Sequence, residues 1–171
     1  MKRIIVATLN NTAGVLNRVT GVMARRRFNI ESISVGHSEK EGISRLTFIV
    51  NVENENQTEQ LTKHLNKQVD VIKVLDITED DVVERELALI KVSCNSTNRM
   101  EIFGFLDPFR AQVVDVGKDT LIIQIVGAQN KVDALIDLLK PFGIREISRT
   151  GVIASVRGTK RQEKTNKLLA Y

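Results

Sequence analysis

The sequence contains no tryptophan, one tyrosine and six phenylalanines, so aromatics supply only 4% of its 171 positions. A core made from it rests on isoleucine, valine and leucine, a composition that favours sheets. A single cysteine, Cys94, excludes an internal disulfide and fits a reducing, cytoplasmic setting. It stands in an alternating apolar stretch and reads as a small core residue, not a nucleophile. No apolar run approaches the length that spans a bilayer; Leu121-Ile122-Ile123 is typical. Met1-Lys2-Arg3 runs straight into a short β-like segment, with neither the apolar region nor the cleavage site of a signal peptide.

Catalytic signatures are missing as well. Val116-Gly117-Lys118-Asp119-Thr120 lacks the upstream glycine of a phosphate-binding loop, and neither G-x-G-x-x-G nor G-x-S-x-G occurs. The two histidines, His37 and His64, have no ligand partner at metal spacing. Charge is nearly balanced, with 25 basic and 21 acidic residues and a net +4. The excess gathers in Arg25-Arg26-Arg27 and in a tail from Arg157 to Lys167. Such clusters suit nucleic acid, but a solvated helix end and a frayed terminus account for them better.

What is present is a repeated pattern. Residues 3–9 are β-rich and break at Asn10-Asn11-Thr12-Ala13-Gly14. A helix follows, with Val15, Leu16, Val19, Val22 and Met23 on one face. Residues 30–36 alternate as a half-buried strand, His37 to Gly42 form a turn, and 44–52 form the next strand. Asn56 with Glu59 resembles a cap for a second helix carrying Leu61 and Leu65, and 69–77 make a fourth strand. A charged stretch, Thr78-Glu79-Asp80-Asp81, separates the halves. The second half has a strand at 86–94, a helix from about Thr97 to Asp107 stopped by Pro108, and strands at 111–117 and 120–126. A helix bearing Val132, Leu135, Ile136 and Leu139 ends at Lys140-Pro141, and 144–148 supply the last strand.

The halves agree in spacing: Asn17 lies nineteen residues before Gly36, and Asn98 nineteen before Gly117. The expected fold class is therefore α+β, with two tandem ferredoxin-like βαββαβ units. Their boundaries fall at 1–77 and 86–158, with a linker over 78–85 and a basic tail over 159–171. An uncovered sheet face or edge in such units invites a second subunit.

The most informative segment runs from Asn10 to Leu16. Gly14 stands where the backbone turns into a helix whose first amides have no internal partners. A carboxylate placed there gains hydrogen bonds and charge complementarity together. Asn11 either caps the helix or offers both a donor and an acceptor to a small zwitterion. A plain Asn-rich turn before a helix explains the same residues.

The pattern N-x-x-G-V-L after a strand is carried by Asn11, Gly14, Val15 and Leu16. R-x-x-N-I-E-S after the helix is carried by Arg26, Asn29, Ile30, Glu31 and Ser32. Together they resemble an ACT domain. The resemblance extends through Val69 to Val74, Val83-Glu84-Arg85-Glu86-Leu87, Arg149-Thr150-Gly151-Val152 and Arg157-Gly158 to the small regulatory subunit family of acetolactate synthase (acetohydroxyacid synthase), over about residues 1 to 160.

That resemblance implies a chain without catalytic residues or cofactors of its own. It implies a catalytic large subunit as partner, which carries thiamine diphosphate, a divalent metal and FAD. It also implies activation of that partner and feedback inhibition by valine or a related branched-chain amino acid. ACT modules pair side by side, so the implied effector site takes Asn11, Ala13, Gly14, Val15 and Leu16 from one protomer and Asn29 and Ile30 from the other. The second unit, Cys94-Asn95-Ser96-Thr97-Asn98, lacks the glycine and is expected to bind no effector. Two alternatives stand beside this reading: a free-standing ACT-type amino-acid sensor, and a nucleic-acid-binding ferredoxin-like protein. The latter presents aromatics on its strands, and Phe48 is the clearest one here. Neither nucleic acid nor membrane is an expected partner.

Overall fold

The apolar run near the N-terminus is strand β1 (Lys2–Asn10) of a computed structural model that describes residues 1–158. Its near-continuous hydrophobicity follows from burial on both faces. Ile5, Ala7 and Leu9 point into the first core, while Val6 points the other way into a smaller cluster. Helix α1 (Val15–Arg25) lays Val15, Val19, Val22 and Met23 on that first core. Leu16, expected on the same face, is 38% exposed. Strands β2 (Asn29–His37) and β3 (Ile43–Asn51), helix α2 (Glu55–Asn66) and β4 (Val71–Asp76) complete the unit.

The second unit repeats the order: β5 (Val82–Ser93), α3 (Arg99–Phe109), β6 (Gln112–Val116), β7 (Thr120–Gly127), α4 (Gln129–Leu139) and β8 (Ile144–Arg149). The sheet orders are β2-β3-β1-β4 and β6-β7-β5-β8, antiparallel throughout. This is the ferredoxin-like βαββαβ plan twice over, an α+β fold as the sequence implied. Cys94 is buried in the second core.

Five details differ from what the sequence implied. The cap of α2 is Asn54, not Asn56; its side chain accepts from the Gln57 amide at 3.0 Å. An oxygen two residues earlier is the one that reaches the free amides of the first turn. Pro108 does not stop α3 but sits within its last turn, where its fixed φ is already helical. The helix closes at Arg110, which adopts a left-handed conformation with φ 49.

The stretch read as a linker over 78–85 is strand from Val82 onward. Val82–Arg85 pair with a further strand that the sequence did not announce, β9 (Ile153–Val156). This short two-stranded ribbon packs Val82, Ala154 and Val156 against Val6, Ile77, Ile4 and Leu75 of the first unit. The back of the first sheet, expected to be open, is thus partly covered by the chain's own second half. The tail read over 159–171 lies outside the described residues.

Candidate effector site

The loop from β1 to α1 is held by its backbone and by one polar clamp. The Asn11 amide donates to the Gly42 carbonyl at 2.8 Å, and the Thr12 amide to Asn10 at 2.9 Å. The Thr12 hydroxyl donates to Asp70 at 3.1 Å, and Arg18 reaches both groups, Asp70 at 2.6 Å and the Thr12 hydroxyl at 3.2 Å. The sequence reading assigned no role to Thr12, Arg18 or Asp70. Their signal was weak, because Asp70 is 58 residues from Thr12 and only the fold joins them.

Gly14 is the N-cap of α1, with φ 79 in the left-handed region that favours glycine. No side chain caps this helix, and its first turn carries no acidic residue. Asn11, considered as a cap, is not one. The Val15 amide donates to the Thr12 carbonyl at 3.2 Å, and the next amides, at the positive end of the helix dipole, are left for something else to satisfy.

They border a cavity of about 400 Å³ lined by Leu9, Asn11, Thr12, Gly14, Val15, Leu16, Val35, Gly36, His37 and Ser44. Its walls are apolar on the Leu9, Val15, Leu16 and Val35 side and polar toward Asn11, Thr12 and Ser44.

Of the residues expected at the site, Asn11, Gly14, Val15 and Leu16 meet here. Ala13 is exposed at the turn and is not part of the lining. Asn29 and Ile30 stand at the opposite end of β2, Asn29 across from Asn51 and Ile30 packed against the first core. The nine-residue strand is roughly 26 Å long, so one protomer cannot bring both sets together. β2 is the edge of its sheet, and Ile33 and Val35 on it are 40% and 45% exposed.

The equivalent corner of the second unit is built differently. There the Asn95 side chain accepts from the amides of Thr97 and Asn98, each at 2.9 Å, and the Asn98 side chain accepts from the Asn95 amide at 2.8 Å. The turn is tied by its own side chains, and α3 carries Glu101 in its first turn where α1 carries no acid, so an anion is less favoured there. Among the described residues, no group of three or more His, Cys, Asp or Glu side chains could hold a metal ion. No helix there is long and apolar enough to cross a membrane.

Tandem βαββαβ units, the first opening its helix on an uncapped glycine beside a free sheet edge, define an ACT-type protein. Residues 5–73 match the family described as the AHAS small subunit-like ACT domain, and residues 85–158 match the small subunit of acetolactate synthase. The chain is 56% identical over 170 residues to the acetolactate synthase small subunit of Bacillus subtilis, covering 99% of each. It is 46% identical over 161 residues to the probable acetolactate synthase small subunit of Archaeoglobus fulgidus, covering 94% of this chain and 100% of the other. The crystal structure of the acetolactate synthase small subunit from Thermotoga maritima superposes with a TM-score of 0.85 at 40% identity, over 93% of this chain and 99% of that one. The chain belongs to the acetolactate synthase small-subunit family.

Proposed function

We propose that this chain is the non-catalytic regulatory subunit of acetolactate synthase. In this reading it activates the catalytic subunit and confers feedback inhibition by valine, or a related branched-chain amino acid, at a homodimer interface. The observation that carries it is the uncapped start of α1 opening into a cavity with an aliphatic wall. A branched-chain amino acid needs those same elements. Its carboxylate takes the free amides near Gly14 and the favourable end of the dipole. Its side chain takes Val15, Leu16 and Val35, and Asn11 takes a polar group.

Residues 1–77 supply effector binding and dimerisation, and residues 86–158 supply further contacts with the partner copy or the catalytic chain. Antiparallel pairing of two β2 edges about their midpoint, Ile33, sets the partner subunit's Asn29 opposite His37, at the mouth of the cavity. It also covers Ile33 and Val35. Thiamine diphosphate, the divalent metal and FAD belong in this reading to the catalytic partner, and the complex works in the cytoplasm.

Mixing tests the proposal. The purified chain alone is expected to form no acetolactate, to raise the activity of the cognate catalytic subunit, and to make that activity sensitive to valine. Turnover by the chain alone, or a catalytic subunit indifferent to its presence, would overturn it.

A further inference from the structure

The four residues Asn29-Ile30-Glu31-Ser32 face two directions. The first two belong to the effector side of the proposed dimer, but Glu31 and Ser32 are engaged with the second unit. The Ser32 hydroxyl accepts the Val152 amide at 2.9 Å, and Val152 is 1% exposed. Gly151 beside it has φ 79, and a Cβ there would lie 2.7 Å from the Ile33 carbonyl oxygen and 3.0 Å from the Ser32 hydroxyl. Only glycine allows the second unit to come this close to β2.

Glu31 adds a polar bridge. It accepts from Lys2 at 2.7 Å, from Gln129 of α4 at 3.1 Å and from Asn51 at 3.2 Å. The β2–β3 register shifts between Ile30 and Ser32, so Glu31 is the extra residue of a bulge. Bulges re-aim side chains, and this one sits between the effector half of the motif and the half that holds the second unit. A few residues on, the Arg45 guanidinium donates to the Ala154 carbonyl at 3.1 Å.

We propose that Glu31 and Ser32 are positioning residues that transmit effector occupancy at the β2 edge to the C-terminal unit through Gly151 and Val152. This rests on the effector reading above. A ligand that shifts Asn29 and Ile30 of β2 acts on a strand whose next two residues are tied to the second unit by hydrogen bonds. The backbone at Gly151 passes β2 so closely that even a methyl group would not fit between them. Coupling of this kind is reciprocal, so loosening the second unit must also loosen β2.

The experiment uses the full chain in two arms. The first needs no effector: amide hydrogen exchange of wild type is compared with Ser32→Ala and Gly151→Ala. Faster exchange is expected at 150–153 and also across β2, and Ser32→Thr, which keeps the hydroxyl, is expected to restore the wild-type rates. A rise confined to 150–156 overturns the coupling.

The second arm adds the catalytic subunit. Ser32→Ala is expected to bind valine with nearly wild-type affinity in calorimetry and to activate normally, yet to lose about fivefold or more of valine's inhibitory effect. Full inhibition of Ser32→Ala at saturating valine overturns the proposal. A wild-type chain that binds no valine overturns the effector reading instead, and the exchange arm then decides the coupling alone.

Discussion

Gly14 stands at the start of α1 with φ 79. Its left-handed φ strains any side chain, although aspartate tolerates that region better than most. An added Cβ would stand 3.4 Å from the Arg18 guanidinium. Gly14→Asp therefore puts a carboxylate beside the amides an effector needs and offers Arg18 a rival to Asp70. Losing an ionic hydrogen bond costs about 1.5–3 kcal/mol, and about 1.4 kcal/mol is tenfold in affinity. Calorimetry is expected to show valine affinity reduced at least about tenfold, with activation of the catalytic subunit retained. Asn29→Ala is expected to act in the same direction but more weakly, since it removes a contact without adding repulsion. Two folded, dimeric variants that both bind valine normally would end the interface-site reading.

Glu31 supplies a pH signature. The hydrogen bond from Lys2, helped by Gln129 and Asn51, holds its carboxyl below the usual carboxylate value, against an opposing effect of burial. A depressed folded pKa contributes stability above the unfolded pKa and loses it as pH falls through the folded one. The melting-temperature difference between wild type and Glu31→Gln is thus expected to be full near neutrality. It should close in acid, below the ordinary carboxylate range. The difference is small, because the pair is partly exposed.

Among the elements, the contrast lies between two helix starts. Neither helix has a side-chain cap, but α1 begins on a left-handed glycine with no acidic residue in its first turn, whereas α3 follows a turn tied by Asn95 and Asn98 and carries Glu101 in its first turn. Asn95→Ala is expected to lower stability by about 0.5–1.5 kcal/mol, the net worth of a typical hydrogen bond, because the Asn95 side chain holds the Thr97 and Asn98 amides of the turn. It should leave valine affinity unchanged, because the proposed effector loop belongs to the other unit. Thermal melts with and without valine check both halves of that statement. Helix and strand existence was legible wherever periodicity was strong, as in Val132, Leu135, Ile136 and Leu139, all on the core. Boundaries were less legible. Asn54 and Asn56 offer the same chemistry two residues apart, and Pro108 is compatible with a last helical turn as well as with a stop.

For the whole molecule, the junction between the units decides how they act together. Val6, Ile77 and Ala154 form a small shared core, and the buried Glu86 carboxylate pairs with Arg149, which also reaches Asp133 at 2.8 Å. Ala154→Asp inserts an unpaired charge into that cluster. Calorimetric melting is expected to change from one transition into two as the units come apart, while each sheet keeps its own core. A single unchanged transition would show that the units do not depend on this contact.

The two units and the residue order of the loop from β1 to α1 are written locally in the chain. Apolar period 2 or 3.6 sets each element, and a glycine followed by Val15-Leu16 marks the helix start; that Asn11 does not cap this helix is visible only in the structure. The sequence by itself also determined the family, through residues spread along the chain. Tertiary structure alone decided three further things. It brought Thr12, Arg18 and Asp70 into one clamp, it turned Val82–Arg85 into a strand by pairing it with β9, and it set Gly151 against Ile33. Each joins residues 50 or more positions apart along the chain, and no local pattern records which distant backbone will supply the partner. A four-residue strand such as β9 has too little periodicity of its own to be read; it exists because β5 offers it hydrogen bonds and the back of the first sheet offers it burial.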